Sequence, residues 1–224
     1  MVNRKFKASP VKVTGLTPDG VPFESSLEED QLFLLRFNSA GIDSISRPTE
    51  SIVWRDKDGK LHRYTPDLLI RYRATEKYPD GVTVLGEVKP DFLDEKSPKS
   101  RLRFKETDDE RARKWTAAHN YATLKGWVFR VFRESSIRTP FLRNVKFLIK
   151  HLELPRAGED SARIREYLKV HGSTPIGKLM HALEPVVEVR AALYPALWGC
   201  VAKREVAVDL ESMLTLSSTL SLPQ

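Results

Sequence analysis

The order of helix and strand signals is the feature that most constrains the fold of this chain. A capping-box pattern at Ser25 or Ser26 starts a helix that should run to about Asn38. Further signals follow in the order three strands, helix, strand and helix, at residues 51–55, 64–72, 82–89, 107–126, 127–132 and 139–152. The order α-β-β-β-α-β-α predicts an α/β fold in which a mixed sheet carries helices on its faces.

Local end signals support these boundaries. Thr107, with Glu110 three residues later, forms a capping-box pattern at the start of the long helix, and Gly126 is a C-terminal cap. Pro140 stands at the first position of the last helix, where its missing amide donor costs little. Pro66 should mark a strand start or a bulge, because proline cannot donate to a sheet ladder.

Charge divides the 224 residues into two parts. Lys and Arg total 37 against 30 Asp and Glu, which gives a formal net charge of +7. Basic and acidic residues balance within 155–224, so the whole excess lies within 1–154. A polar, turn-rich link at residues 154–160 separates the two parts. We predict a basic N-terminal domain, 1–154, suited to a polyanionic partner, and a neutral C-terminal domain, 155–224.

Composition excludes several classes of protein. Hydrophobic residues make up 41% and charged residues 30%, a balance that allows a core and excludes a disordered tail. No run of about 18 apolar residues is present, which argues against a membrane-spanning helix. No apolar run follows the N-terminal charges, so a signal peptide is not expected. The single cysteine, Cys200, excludes an internal disulfide framework, and a reducing cytoplasm is the expected compartment.

The residues with the clearest chemistry are Asp67 and, twenty residues later, Glu87 and Lys89. Glu87 and Lys89 are two apart on a predicted strand, so their side chains should point to one face of the sheet. The carboxylates of Asp67 and Glu87, with the carbonyl of Val88, supply the hard oxygen ligands that Mg²⁺ prefers. Lys89 is then placed to orient an attacking water or to stabilise charge on a phosphate. The alternative is a strand-end Asp beside a surface ion pair.

Glu28 on the first predicted helix is a further candidate ligand. On a helical wheel Glu28 falls between Leu32 and Leu35, whereas Glu29 falls on the solvent-facing stripe. A carboxylate on an apolar face is costly unless it is paired or binds a metal. The alternative is that Glu28 closes a capping box from Ser25.

Three stretches together carry a family resemblance: Phe23-Glu24-Ser25-Ser26-Leu27-Glu28, Tyr64-Thr65-Pro66-Asp67-Leu68-Leu69 and Leu85-Gly86-Glu87-Val88-Lys89-Pro90. They resemble the TnsA endonucleases of heteromeric cut-and-paste transposons, including CRISPR-associated ones, within the PD-(D/E)xK nuclease superfamily. The resemblance implies a restriction-endonuclease-like αβββαβ core. It further implies that Glu28, Asp67 and Glu87 bind the metal and that Lys89 is the catalytic lysine.

The resemblance also carries expectations about activity and partners. It implies a Mg²⁺-dependent DNA endonuclease, with Mn²⁺ as a substitute, that cleaves the 5′ strands at transposon ends in a bacterial cytoplasm. Two protein partners are implied, a TnsB-like transposase that cuts and joins the 3′ ends and a TnsC-like AAA+ ATPase. Arg47-Pro48 departs from the Gln-Pro that family members often have before the second core strand, a difference that we expect to leave the metal ligands unaffected.

The segment after the Glu-x-Lys strand is a candidate DNA contact. Residues 96–105 contain no acidic residue and five basic ones, Lys96, Lys99, Arg101, Arg103 and Lys105. Basic side chains near the site would add salt-dependent affinity for the phosphate backbone. The alternative is a solvated loop. Trp115 and Tyr121 on the long helix are expected to pack in the core rather than to stack on bases.

The C-terminal part carries signals for three short helices and a hairpin, at residues 161–171, 175–184, 188–197, 205–208 and 214–216. This order predicts a winged-helix-like domain. Because the third helix has a single basic residue, Arg190, we favour protein docking over DNA binding, and the resemblance implies docking of the AAA+ ATPase. Two alternatives remain for the whole chain, a stand-alone restriction or repair nuclease and a catalytically silent adapter between transposase and ATPase.

Overall fold

The computed structural model describes residues 13–76, 78–91, 107–153 and 158–223. By its backbone contacts the chain divides into two compact units, Met1–Ile137 and Arg138–Gln224. The division falls earlier than the predicted boundary at residue 155. It places the helix Pro140–Leu152 in the second unit, because this helix packs against the helix Tyr194–Ala202.

The described part of the first unit combines three α-helices and one turn of 3-10 helix, Ser39–Gly41, with a set of short strands. In chain order, its described elements are β1 (Gly15–Leu16), β2 (Pro22–Phe23), α1 (Ser26–Phe37), β3 (Ile42–Ser46), β4 (Ile52–Arg55), β5 (Leu61–Tyr64), β6 (Leu68–Tyr72), β7 (Val82–Lys89), α2 (Asp108–Leu124), β8 (Val128–Arg133) and α3 (Glu134–Ile137). The main sheet has the order β3-β6-β7-β8. Strands β3, β6 and β7 are antiparallel neighbours, and β7 and β8 run parallel, so the predicted mixed sheet is confirmed.

The helix ends follow the predicted caps. Helix α1 begins after Ser25, whose Oγ accepts a hydrogen bond of 3.2 Å from the Glu28 amide. Helix α2 begins after Thr107 with a complete capping box to Glu110. Gly126 ends the turn after α2 with a φ of 70°, a left-handed conformation that a glycine adopts without strain.

Two predicted strands of the first unit differ from the observed ones, one in its bounds and the other in the sheet it joins. The strand predicted at 64–72 is divided between β5 and β6, because Thr65 and Pro66 belong to neither strand and proline has no amide to donate. Pairing resumes at Asp67, whose amide donates to Gly86 O at 3.0 Å. The strand predicted at 51–55 pairs with β5 in a separate two-stranded sheet. The first strand of the main sheet is instead β3, whose residues Asp43, Ser44 and Ser46 conceal the apolar pattern of a strand.

A small apolar cluster fixes helix α2 against the strands. It consists of Ile52 from β4, Leu69 from β6, Leu85 from β7, and Ala118 and Ala122 from α2. Both alanines are fully buried, so the helix approaches the strands closely. This packing holds β6 and β7 in register beneath α2, and the candidate site residues lie at the end of that pair of strands.

The second unit is mainly helical. In chain order, its described elements are α4 (Pro140–Leu152), α5 (Gly158–His171), β9 (Thr174–Pro175), α6 (Ile176–Leu183), α7 (Val187–Arg190), α8 (Tyr194–Ala202) and β10 (Thr219–Leu220). Its core is formed by fully buried Leu148, Ile164, Leu179 and Leu197 from four different helices. None of the helices in the described part of the chain is long and apolar enough to cross a membrane.

The predicted C-terminal hairpin is wrong in its position. Residues 214–216 form no strand, and the 205–208 segment contributes only a bridge between Ala207 and Ser221. The small sheet of this unit instead pairs β10 with β9. The physical reason lies in competing partners, because Asn144 Oδ1 accepts the Leu214 amide at 3.4 Å and the Leu216 carbonyl accepts the Gly177 amide at 2.8 Å.

Candidate active site

The register of β6 and β7 brings Asp67 to the Glu-x-Lys sequence. Leu68, the first residue of β6, pairs with Gly86, and Asp67 precedes it directly. Asp67 Oδ2 accepts a hydrogen bond of 2.8 Å from the Val88 amide, between Glu87 and Lys89. A side chain at position 86 would meet the Phe132 ring at 2.9 Å and Leu68 Cβ at 3.2 Å, so glycine is needed for this close strand packing.

Glu87 and Lys89 point to the same face, as the strand alternation predicted. Lys89 Nζ lies 2.7 Å from Glu87 Oε1. Glu87 is 1% exposed, and its other oxygen accepts a short hydrogen bond from the Tyr64 hydroxyl. Lys114 on α2 places its ammonium 4.9 Å from the centre of the Tyr64 ring. The roles of Tyr64 and Lys114 were not predicted, and no local signal in the sequence identifies either contact.

Glu28 forms an ion pair with Arg47, a residue that was expected to have no effect on the proposed metal ligands. Arg47 Nη2 lies 2.8 Å from Glu28 Oε2, and Arg47 Nη1 lies 2.6 Å from Glu24 Oε1. The Arg47 Nε also donates to the Pro22 carbonyl at 3.2 Å, which locks the guanidinium in place. The expectation that the Arg47-Pro48 departure leaves the proposed ligands unaffected is therefore wrong, because Arg47 contacts one of them directly.

The capping alternative for Glu28 describes part of its environment. Glu28 Oε1 accepts from Ser25 Oγ at 3.0 Å, and Oε2 accepts from the Glu24 amide at 2.8 Å. Both carboxylate oxygens therefore already have partners at the start of α1. The side chain is 12% exposed, and the contacts of its carboxylate are polar ones, with Ser25, Glu24 and Arg47, rather than the apolar surroundings that the helical wheel predicted. Oε2 accepts the Glu24 amide rather than the Ser25 amide that a capping box would use, so the box is not closed, and the Glu28 charge also acts on Asp67.

Electrostatics link the three predicted carboxylates. Burial raises the pKa of Asp67 to about 8, with further increases from the negative charges of Glu87 and Glu28 and opposition from the Val88 amide and the Lys89 ammonium. Three acidic groups thus repel one another across one site. Their oxygen chemistry fits a hard divalent cation, which would relieve that repulsion. In the described ranges, however, no three His, Cys, Asp or Glu side chains form a ready metal-binding group.

The basic residues predicted to contact DNA lie outside the described residues: Lys96, Lys99, Arg101, Arg103 and Lys105. The two aromatic residues of α2 are described. Trp115 is half-buried between two guanidinium groups, with Arg111 at 5.9 Å and Arg133 at 5.1 Å from its ring. Tyr121 packs against the apolar cluster beneath α2 and against Trp127, as expected for a core residue.

A mixed sheet that carries Asp67 beside a Glu-x-Lys strand is consistent with a nuclease fold. Residues 39–134 match the protein family described as TnsA-like endonuclease N terminal, so the chain carries a TnsA-like endonuclease domain and the predicted resemblance is confirmed. The match supports a nuclease of the Tn7-like transposition system. It includes Arg47, Asp67, Glu87 and Lys89, whereas Glu28 and the second unit lie outside it. No curated protein matched the chain in a separate search.

Proposed function

We propose that the chain is the Mg²⁺-dependent DNA endonuclease subunit of a heteromeric transposase and cleaves the 5′, non-transferred strands at transposon ends. The observation that carries this proposal is the contact of Asp67 with the Val88 amide, which sets it beside Glu87 and Lys89 inside a TnsA-like endonuclease domain. The αβββαβ order of α1, β3, β6, β7, α2 and β8 supports a restriction-endonuclease-like core.

Asp67, Glu87 and the carbonyl of Val88 would hold the divalent cation, with Glu28 as a further ligand and Mn²⁺ as a substitute. When bound, such a cation neutralises charge on the scissile phosphate and lowers the pKa of a coordinated water. The protein contributes pre-organisation. The Val88 amide orients Asp67, and the Tyr64 hydroxyl orients Glu87.

Lys89 would act on the phosphate. Its side chain is 23% exposed although it lies against the buried Glu87, so one end of the ion pair reaches the surface of the site. An ammonium in that position would stabilise the negative charge that develops on a phosphate oxygen, or orient the attacking water. Basic side chains at 96–105 would then extend the contact along the DNA backbone.

The second unit would supply a surface for the proposed protein partners. Three valines around α7, Val186, Val187 and Val189, are 52%, 67% and 53% exposed. Clustered exposed apolar residues of this kind are typical of protein-interaction sites. They support docking of a TnsC-like AAA+ ATPase on this unit, with a TnsB-like transposase completing the assembly. The helices α5, α6 and α8 with the β9–β10 sheet support a winged-helix-like arrangement.

The test is strand-specific cleavage mapping with the partner proteins, comparing the wild type with Asp67→Asn. We expect 5′-strand cleavage to fall by about 10²-fold or more, because a charged ligand beside the reacting phosphate is lost. Asp58→Asn, in the exposed turn between β4 and β5, is the matched control and should cleave normally. Full 5′-strand cleavage by a folded Asp67→Asn protein would remove the proposal.

One observation favours a second candidate, the silent adapter. Arg47 occupies Glu28, and no three acidic side chains among the described residues are assembled as ligands. Isothermal titration with Mn²⁺ separates the two functions, since an adapter should bind no metal and an endonuclease should bind it through Asp67. Plasmid cleavage by the chain alone would instead indicate a stand-alone restriction or repair nuclease.

A further inference from the structure

Helix α4 of the second unit presents a basic stripe to solvent. Arg143, Lys146, Phe147 and Lys150 are all exposed, and their spacing places them on one side of the helix. These four residues are called the α4 face below. No acidic residue occurs within α4. The stripe is therefore cationic along its whole length.

The opposite side of α4 is fixed in the core. Leu142, Val145 and Leu148 are buried, and the helix packs against α8. Asn144 adds polar anchors, since its Nδ2 donates to the carbonyls of Leu210 at 2.9 Å and Ser212 at 2.7 Å. A helix held on its buried side presents its exposed side chains from a rigid base. The α4 face is therefore pre-organised for a partner.

The excess charge of the second unit lies in this helix and its flanks. Residues 138–154 contain four basic residues and one acidic residue, whereas residues 155–224 balance. The neutral C-terminal domain expected from the sequence holds only for a boundary at 155. With the division at 138, the second unit is basic, and its basic character is concentrated around α4.

Helix α8 does not offer a comparable surface. Leu197, Cys200 and Val201 are buried in it, and α8 contains no basic residue. The third helix of a winged-helix-like unit would ordinarily be the one that contacts DNA. Here that helix is packed beneath α4, so α4 takes the exposed position.

The chemistry of the α4 face fits a nucleic-acid backbone. Arg143, Lys146 and Lys150 extend over roughly 10 Å of helix, a length over which a duplex presents several phosphates when both strands are counted. Phe147 is 39% exposed, with Lys150 Nζ 5.3 Å from its ring centre and the Trp198 ring 5.1 Å away edge-on. An aromatic ring between cations can rest against a sugar or an unstacked base.

We propose that the α4 face is a second, sequence-independent contact to the DNA backbone, separate from the candidate active site. The inference rests on the proposed function only in taking DNA as the substrate. It requires neither metal binding nor cleavage.

The test measures DNA binding by the full-length chain, with fluorescence anisotropy on a 5′-labelled duplex in chelator between 50 and 200 mM salt. The variant Arg143→Gln/Lys146→Gln/Lys150→Gln removes the three charges. Each lost phosphate contact reduces the slope of log K against log salt by about 0.9, so we expect a reduction of about 2 to 3 and at least about tenfold weaker binding at low salt.

The control removes three basic residues from other parts of the same unit, as Lys169→Gln/Lys178→Gln/Lys203→Gln. It should keep the wild-type slope, and circular dichroism should show that both variants are folded. An unchanged slope in the α4 variant overturns the inference. If the same variant also loses binding to a polyglutamate peptide, the α4 face is assigned to an acidic protein segment instead.

The outcome is distinguishable from failure of the proposed function. A chain that loses salt-dependent binding in the α4 variant but never cleaves DNA supports the α4 face alone. A chain that cleaves transposon ends while the α4 variant binds DNA like the wild type rejects the α4 face alone.

Discussion

The two units bury polar groups of different kinds. Among the described residues of the first unit, Asp30, Glu87 and Lys114 are buried with ionisable side chains. The buried polar residues described in the second unit are uncharged or, for His151, titratable: Asn144, His151, Ser161 and Thr174. The first unit thus keeps charge inside, whereas the second displays its charge on the α4 face.

This difference suits a first unit that carries a reactive site and a second unit that does not. Burying a carboxylate costs several kcal/mol unless partners compensate, and a paired buried charge gains little over an apolar pair. Such charges are therefore weak stabilisers, and a buried Glu87 next to Asp67 is the arrangement expected of a functional site. The second unit needs no such charge to form its core. The cations of its α4 face are exposed at the surface.

The largest expected effect concerns Asp67 in metal-free protein. Its pKa is about 8 in the fold against an ordinary 3.8, so the folded state binds a proton that the unfolded state releases between those values. The stabilising effect is complete below about pH 4 and is lost as pH rises towards 8, at up to about 1.4 kcal/mol per pH unit. Asp67→Asn should abolish this dependence and raise the unfolding midpoint at pH 8 in chelator.

Hydrogen exchange of peptides from β6 and β7, corrected for intrinsic rates, checks this prediction. The matched control is Asp209→Asn in the second unit, where hydrogen bonds from Ser212 and from the Glu211 amide lower the pKa of Asp209 instead. That variant should gain no stability at pH 8. An Asp67→Asn protein less stable than the wild type at pH 8 would contradict the view that this carboxylate is strained.

Sequence patterns predicted which candidate side chains lie together better than they predicted the surrounding fold. The proximity of Asp67, Glu87 and Lys89 was predictable because strand alternation places Glu87 and Lys89 on one face and Pro66 interrupts the strand pairing just before Asp67. Strand β3 was not, because Asp43 and Ser44 hide its apolar pattern and its pairing with β6 depends on distant residues. The domain boundary was misjudged for a related reason. Charge balance identifies where charges lie along the chain, whereas packing of α4 on α8 decides which unit a helix joins.

The Arg47 contacts were beyond local reasoning. Glu24 and Glu28 lie more than fifteen residues before Arg47 in the chain, and only the fold brings the guanidinium to them. A hint was present, since an arginine stands where family members often carry glutamine. Charge complementarity between Arg47 and the acidic start of α1 was the signal that could have been used.

The next expected effect concerns this arginine and the metal. If Glu28 is a ligand as proposed, Arg47 would compete with the cation for its carboxylate, because Arg47 Nη2 lies 2.8 Å from Glu28 Oε2. Arg47→Gln should therefore tighten Mn²⁺ binding by about tenfold, equivalent to about 1.4 kcal/mol. It should also lower the unfolding midpoint, since Glu24 and Glu28 lose a charged partner. Calorimetric titration measures the affinity.

A double-mutant cycle distinguishes competition from an indirect effect. In a Glu28→Gln background, Arg47→Gln should change the Mn²⁺ affinity by less than about twofold. The same tenfold gain in that background would show that Glu28 is no ligand and that Arg47 acts through the general field of the site. This result would leave Asp67 and Glu87 as the ligands and would weaken the role proposed for α1.

The smallest expected effect concerns the second unit, whose stability should depend on pH with the opposite sign to that of the first unit. His151 is buried beside Phe147, neither ring nitrogen has a hydrogen-bond partner within the described residues, and burial and the Lys150 charge lower its pKa below the ordinary 6.5. The unfolded state therefore binds the proton more readily. The contribution of His151 to stability is present above about pH 6.5 and is lost as pH falls through the lowered folded value.

His151→Leu should remove this acid sensitivity and increase the stability of the second unit near pH 5, with little change at pH 8. Hydrogen exchange of peptides from α4 and α8 reports the change, and His171→Leu at the exposed end of α5 is the control. If His151→Leu leaves the acid response of α4 unchanged, His151 is not the cause of acid sensitivity in the second unit, and the prediction is wrong. If the response disappears, His151 is the group that destabilises the second unit as pH falls. The first unit is then destabilised by the Asp67 carboxylate as pH rises and the second by an imidazole as pH falls, so the pH dependence of each unit is set by a polar group that it buries.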